Sequence, residues 1–569
     1  MPCPGNQSLP SRSTPAALRP ADSYQIKQPA ATGTPGRRKG DNMSQRIHKQ
    51  LAQSGQQLIK LHVLGAAGNV TGSLNLFEYF DGDKVTRFIL DAGLHQENEA
   101  VNRQNRLPRG ITAGDIDFVV ISHAHIDHSG FLPKLVKDGF HGTAYTQEAT
   151  RELIEFMLTD SGYLQEAAAD RINRRNERNA RSRRSQVRGD SGRSTRRGQS
   201  RRQRPPQRLE KPDHVEPLYT EEEARACMGQ VKGLQYDRVY TLADGVRVKF
   251  TEACHILGAA VVTLEIGKGS KKRTFVFTGN IGRPNTPILR DLAPVAEADY
   301  LMSESTYGDK LHEQRNRLDV LADIINRAHA RALKPHKKYG YGVIIVPAFA
   351  VGRVQAVLYD IRQLMAEKRI PEIPVFVDSP MANKATAVHR KHPELFNPQA
   401  RKLVESGQDP FTTPRYVEVK DAAQSAQLDQ PAKEPVILIG SSGMAAGGRI
   451  LQHLKKRLPG SQNTVLFVGY QGTGTLGRTL ASEEHRPEMV RIFGEMVPVA
   501  ATIEFMSDYS GHADYSEIVR WLRHFQRKPK NTFLVHGEPE SLAALKEQIE
   551  RNLGWTVTIP RHRQCFVLD

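Results

Sequence analysis

The sequence predicts an α/β protein in which a sheet-rich unit is interrupted by a second α/β unit with a mostly parallel sheet. Three features of the chain point there. β-rich runs separated by Gly and Asn turns fill its first part, and from about residue 311 short buried strands alternate with amphipathic helices. The last part then returns to strand, turn and helix, with His at the turns.

In order along the chain, residues 1–57 are rich in Pro, Ser, Gly and Lys/Arg and read as a disordered basic leader, with Met43 as a second candidate start. "LIKLHVLGAAGNVTGSLNLFEY" and "KVTRFILDAG" read as strands, and "IDFVVISHAHIDHSG" as a buried strand ending in a His-rich turn. "TQEATRELIEFMLTDSGYLQEAAADRI" has helical apolar spacing and runs into an arginine-rich stretch at 171–208. Strands resume at "VRVKFTEACHILGAAVVTLEIG" and "RTFVFTG". Beyond residue 311, "NRLDVLADIINRAHARAL", "YGVIIVPAF", "GRVQAVLYDIRQLMAEK", "IPVFVDS" and "EPVILIGSSGM" alternate helix with buried strand, the pattern of βαβ units and a parallel sheet.

The chain has 569 residues, enough for more than one packed core, and no apolar run long enough to span a membrane. Its four cysteines are scattered singly, without zinc-ribbon or disulfide spacing, so a reducing, cytoplasmic setting is expected. The net charge of +18 is concentrated in two segments. Residues 1–50 carry eight Lys/Arg against two acids, residues 171–208 carry fifteen Arg against two, and the remainder is close to neutral. The arginine run cannot bury apolar surface and is expected to be disordered or weakly helical at its start. It reads either as a solvated insertion or as a tether for a polyanion such as RNA.

"HAHIDHSG" places His123, His125, Asp127 and His128 directly after a strand. Imidazole and carboxylate donors at a rigid strand end suit borderline metals such as zinc, and a turn can aim alternate residues at two ions. Ser441, Ser442 and Gly443 in "IGSSGMAAGG" lie between a strand and a helix, where backbone N–H groups and hydroxyls suit a phosphate. Ser379 in "VDSPMA" and Arg353 in "VGRVQ" occupy similar strand ends. "GTGTLGR" lacks the Lys-Ser/Thr of a nucleotide loop, and Cys254 reads as a small buried thiol.

Asp91 in "LDAG", "HAHIDH", His255 in "ACHILGAA" and the turn at Asn280 resemble, in order, the metallo-β-lactamase fold. Glu304 in "SESTYGD", "PAFAVGRVQ", "GSSGMAAGG", His512 in "SGHADY" and His536 in "VHGEPE" resemble its β-CASP nucleases, among them the catalytic subunit of the cleavage and polyadenylation factor. The resemblance implies an αββα sandwich interrupted by a β-CASP cap: residues 58–310 and 490–569 for the sandwich, 311–489 for the cap, and the active site in the cleft between them. It further implies two zinc ions, one held by His123, His125 and His255, the other by Asp127, His128 and His536, with Asp91 orienting the site from behind. The chemistry implied is attack of a metal-activated hydroxide on a phosphodiester of single-stranded RNA, with Asp127 among the catalytic groups and His512, poised by Glu304, protonating the departing oxygen. Arg353, Ser379, Ser441, Ser442 and Gly443 are the expected phosphate contacts, and a homodimer is admitted.

At Asn280 the chain departs from that pattern, because the family places there an Asp that bridges both metals. An amide offers one neutral carbonyl oxygen and an NH2 that repels cations, so affinity for at least one metal is expected to fall. Three readings follow: a working RNA hydrolase, a nucleic-acid-binding protein of the same fold with impaired catalysis, or a hydrolase acting on DNA or a small ester. The cap and the arginine insert argue against the small ester, and RNA over DNA rests on the resemblance alone.

Overall fold

Two seven-stranded mixed sheets lie face to face in the computed structural model, which describes residues 57–95, 106–190 (backbone alone over 180–190), 214–472 and 474–569. The first sheet runs Gln564–Leu568, Gln57–Val63, Leu74–Asp81, Lys84–Ala92, Phe118–Val120, Thr143–Gln147 and Val231–Leu234, antiparallel up to Lys84–Ala92 and parallel after it. The second runs Val557–Thr558, Asn531–Leu534, Tyr300–Ser303, Arg273–Phe277, Ala260–Ile266, Val246–Glu252 and Val239–Ala243, parallel over its first four strands and antiparallel over the rest. The C-terminal strands thus complete both sheets begun by the first half of the chain.

Alternation along each strand supplies the core between the sheets. Leu61, Phe77, Phe88 and Val120 from the first meet Phe250, Val262, Phe275 and Met302 from the second. Phe77 stacks on its cross-strand partner Phe88 at 4.9 Å and meets Phe275 edge-on at 5.0 Å across the interface. Helices cover the outer faces, with Glu148–Asp190 packed on the first sheet and Pro539–Leu553 against Val557–Thr558 of the second.

The strand and helix alternation from residue 311 forms a six-stranded sheet that is parallel throughout, ordered Tyr416–Glu418, Val375–Val377, Val436–Gly440, Val343–Pro347, Thr464–Val468 and Thr502–Met506. Its central strand, "VIIVP", is buried at every position, as a parallel strand covered on both faces requires. The edge strand Thr502–Met506 lies beyond residue 489. Its helices start on side-chain caps: Asn316 accepts from Leu318 N and Asp319 N, and Ser379 from Ala382 N ahead of Pro380. Among the described residues no helix is long and apolar enough to cross a membrane.

Of the two expectations for the arginine-rich stretch, its start takes the helical one: the helix Glu148–Asp190 runs into it as far as Asp190, and residues 191–208 lie outside the described residues, as do residues 1–56 of the leader. The helix is nucleated on the sheet by Ala149, Leu153, Ile154 and Leu158, and extending a formed helix with arginines, which are good helix formers, costs little. Asn173 fixes the chain's return, its Oδ1 accepting from Val215 N at 2.8 Å and its Nδ2 donating to Val215 O at 2.9 Å.

Candidate metal centre

The loop after Phe118–Val120 is pinned from both sides. Ser73 N donates to Asp127 O at 2.8 Å and Leu94 N to Ile126 O at 3.0 Å, while Gly93 packs so tightly on the Asp127 carbonyl that no Cβ fits there. Asp91, wholly buried, adopts φ 59°, a left-handed conformation that strains a side-chain-bearing residue. Its carboxylate accepts from Ser122 N at 2.8 Å, Ser73 Oγ at 3.0 Å, Ser122 Oγ at 3.1 Å and His128 Nδ1 at 2.6 Å. Donation to Asp91 sets the His128 tautomer and leaves its buried Nε2 without a hydrogen-bond partner, 3.5 Å from Asp127 Oδ2.

Three imidazoles converge beside it. His125 Nδ1 lies 3.2 Å from His123 Nε2 and 3.2 Å from His255 Nε2, and His255 spends its Nδ1 proton on Gly511 O at 2.6 Å. Burial holds His123 and His255 well below the ordinary histidine range, aided by the neighbouring rings, and holds His125 near 4. Asp127, half-buried, lies 3.3 Å from His536 Nε2; burial would raise its carboxyl, but His128 and His536 hold it far below the usual range. The donor atoms of His123, His125 and His255 lie within 4.8 Å of one another, as do those of Asp127, His128 and His536. Imidazole nitrogens and a carboxylate gathered at this distance are the donor set of a divalent cation such as zinc, so the residues fit metal.

Asn280, 2% exposed, stands next to the first triad. Its Nδ2 is 3.4 Å from His123 Nε2, and its buried Oδ1 has no hydrogen-bond partner among the described residues. Glu304 and His512, 208 residues apart, meet at 2.8 Å through His512 Nδ1 and Glu304 Oε2. Glu304 also accepts from Ile281 N at 2.6 Å and Thr306 Oγ1 at 2.6 Å. Burial works against its charge, but His512, His536 and Thr306 keep the carboxyl below its ordinary value.

A cleft of about 410 Å³ opens on these groups, lined by His125, Asp127, His255, Asn280, His512 and His536 on one side. Arg353 lines it from the parallel-sheet side. That guanidinium donates to Val468 O at 2.6 Å, sits 5.4 Å over the Phe349 ring and has no carboxylate partner among the described residues; burial pulls it down to about 10. The other expected phosphate contacts do not line the cleft. Ser379 is buried, capping its helix and meeting Ser441 Oγ at 2.6 Å, Ser442 Oγ accepts from Ala446 N at 3.3 Å, and Gly443 is pressed against Phe349. The caps spend Ala382 N on Ser379 Oγ and Ala446 N on Ser442 Oγ.

Sequence reasoning missed two groups of residues. Asp378, fully buried beside Ser379, takes bonds from His453 Nε2 at 2.6 Å, Ser425 Oγ at 2.6 Å and Arg449 Nη1 at 2.7 Å, and so anchors the "GSSGMAAGGR" loop. His312, Asp514 and Glu517 also cluster, but Asp514 and Glu517 form the capping box of the helix Tyr515–Leu522, and His312 donates to His512 O at 2.9 Å. The D-x-x-E spacing of "DYSE" was a readable signal for that cap.

Family comparisons agree with this architecture. Residues 81–221 match the metallo-beta-lactamase superfamily, 354–480 the Beta-Casp domain, and 496–560 the Zn-dependent metallo-hydrolase RNA specificity domain. The chain is 30% identical over 482 residues to ribonuclease TTHA0252 of Thermus thermophilus, covering 84% of this chain and 94% of that protein. It is 29% identical over 541 residues to the transcription termination factor FttA of Cenarchaeum symbiosum, covering 91% and 74%.

Proposed function

The chain belongs to the β-CASP family of the metallo-β-lactamase superfamily and is a metal-binding, RNA-cleaving hydrolase, and on that premise we propose that it cuts single-stranded RNA at the His/Asp cluster in its cleft. The observation that carries this reading is the convergence of two His/Asp donor triads on one cleft, which Arg353 and the Glu304-bonded His512 also line.

In this reading His123, His125 and His255 hold one zinc ion, and Asp127, His128 and His536 hold the second. A bound dication supplies Lewis acidity, lowering the pKa of a water in the site and neutralising charge on the phosphate. The protein's own groups do the rest. Asp91 fixes the His128 tautomer, and the Gly511 carbonyl that of His255, so that each presents a bare Nε2. Arg353, with one N–H on Val468 O and no carboxylate partner among the described residues, has guanidinium donors left to bind a phosphate oxygen. His512 holds its Nδ1 proton against Glu304 and delivers a proton from Nε2 to the departing oxygen, and the Glu304 charge stabilises the imidazolium before transfer. Ser379 is engaged with Ala382 N and Ser441 Oγ, while Ser441, Ser442 and Gly443 form the loop behind the cleft wall as candidate contacts for a phosphate further along the strand.

Asn280 leaves the two triads one negative charge short, so one of the two ions is held weakly. A reducing, cytoplasmic setting belongs to the same reading, since Cys227, Cys254 and Cys565 are free thiols. Purified protein supplied with zinc or manganese is expected to shorten a labelled single-stranded RNA, and His125→Ala to abolish the cutting. RNA left intact by wild type and cut by Asn280→Asp would instead mark a binding protein with disabled chemistry.

A further inference from the structure

Tyr470 sits just past the strand Thr464–Val468, on the cleft wall, with 42% of its surface exposed although the residues on either side are buried. Gly469 adopts φ +114° and packs against the Arg353 guanidinium so closely that a Cβ there would clash, and Gln471 donates to Gly443 O and Gly469 O, both at 3.1 Å. The backbone is therefore locked on both sides of an aromatic ring that turns outward. That ring meets Tyr307 edge-on, 6.4 Å away at 89°, and Tyr307 lies 6.2 Å from the His512 ring. Lys310, exposed and with no carboxylate partner among the described residues, holds its Nζ 5.6 Å from the Tyr307 ring and 5.9 Å from that of Tyr470.

Among the exposed large apolar residues Tyr470 is set apart by its place: it lines the cleft of the His/Asp cluster on a backbone fixed from both sides, so its ring is held available to a ligand there. A flat π-face beside a free ammonium suits a nucleobase with its phosphate attached: the ring stacks on the base and the lysine takes the backbone charge. We propose that Tyr470, flanked by Tyr307 and Lys310, is the stacking platform for a base of the bound RNA strand one or a few nucleotides from the scissile phosphate. This rests on the reading that the cleft takes single-stranded RNA. Stacking is the same before and after cleavage, so its loss falls on KM and not on kcat.

The test uses the full chain with zinc and a single-stranded oligoribonucleotide in which 2-aminopurine, whose fluorescence is quenched by stacking, is moved one position at a time. One position is expected to quench on binding to wild type and to Tyr470→Phe but not to Tyr470→Ala. Tyr470→Ala is also expected to raise KM roughly tenfold, and an abasic nucleotide at the quenched position to remove the difference between Tyr470→Ala and wild type. RNA that binds and is quenched through Tyr470 yet is never cut would support the platform and count against the cleavage reading. RNA cut by Tyr470→Ala with wild-type KM, or quenching that does not depend on Tyr470 at any position, would overturn the platform and leave the cleavage reading intact.

Discussion

Asp91, Cys254 and His536 all hold positive φ beside the site, at 59°, 61° and 52°. Non-glycine residues take such conformations where surrounding bonds overdetermine them, and here the bonds are plain: four donors on the Asp91 carboxylate, Glu252 Oε1 accepting from Cys254 N at 2.9 Å, and His536 N donating to Ala66 O at 2.7 Å. The strain positions His255, next to Cys254, and His536 itself. Glu304 acts on the same scale. Because neighbours keep its carboxyl below the ordinary range, it is ionised at neutral pH and contributes its charge to His512 there, losing it only in acid. His512→Ala should lower kcat by about 10²- to 10⁴-fold with little change in KM. Glu304→Gln should lower it less, because the Nδ1 contact survives and only the charge behind it is lost. Steady-state kinetics would show this, and wild-type kcat in both variants would remove the pair from the chemistry.

At the level of elements, the long helix Glu148–Asp190 joins a packed half to a charged half. Ala149, Leu153 and Leu158 are buried on the sheet side, whereas Arg171, Arg174, Arg175 and Arg178 are exposed. The sequence made the charge plain and left the start of the run open between disorder and weak helix, because composition carries no sign of the buried turns upstream on which the helix is extended. Such a helix raises the local concentration of a polyanion and releases counterions on binding, so its contribution is strongly salt-dependent. Replacing the arginines from Arg174 to Arg208 by glutamine keeps helix propensity and leaves Asn173 to clasp Val215. RNA affinity measured against salt should then fall at low ionic strength, with a flatter slope. An unchanged slope would show that the segment is a solvated insertion.

Across the whole molecule, what the sequence made legible was local. "HAHIDH" is six residues of contiguous chemistry after an unbroken apolar strand, and the alternation after residue 311 predicts a parallel sheet without any partner being known. What stayed hidden depends on long-range pairing. The bond from His255 to Gly511 spans 256 residues and that from Asp378 to His453 spans 75, and Ser379 looked like a phosphate ligand until its hydroxyl proved to be spent on Ala382 and Ser441. Asn280 was legible as a departure, and the fold adds that its carbonyl oxygen is buried beside His123 without a hydrogen-bond partner among the described residues. Asn280 is therefore expected to limit the occupancy of the metal centre, and the most direct test is to count zinc per chain in desalted wild type beside Asn280→Asp. About one tightly held zinc in wild type and about two in Asn280→Asp are predicted. No zinc in either protein, or about two in wild type with no change on substitution, would contradict it.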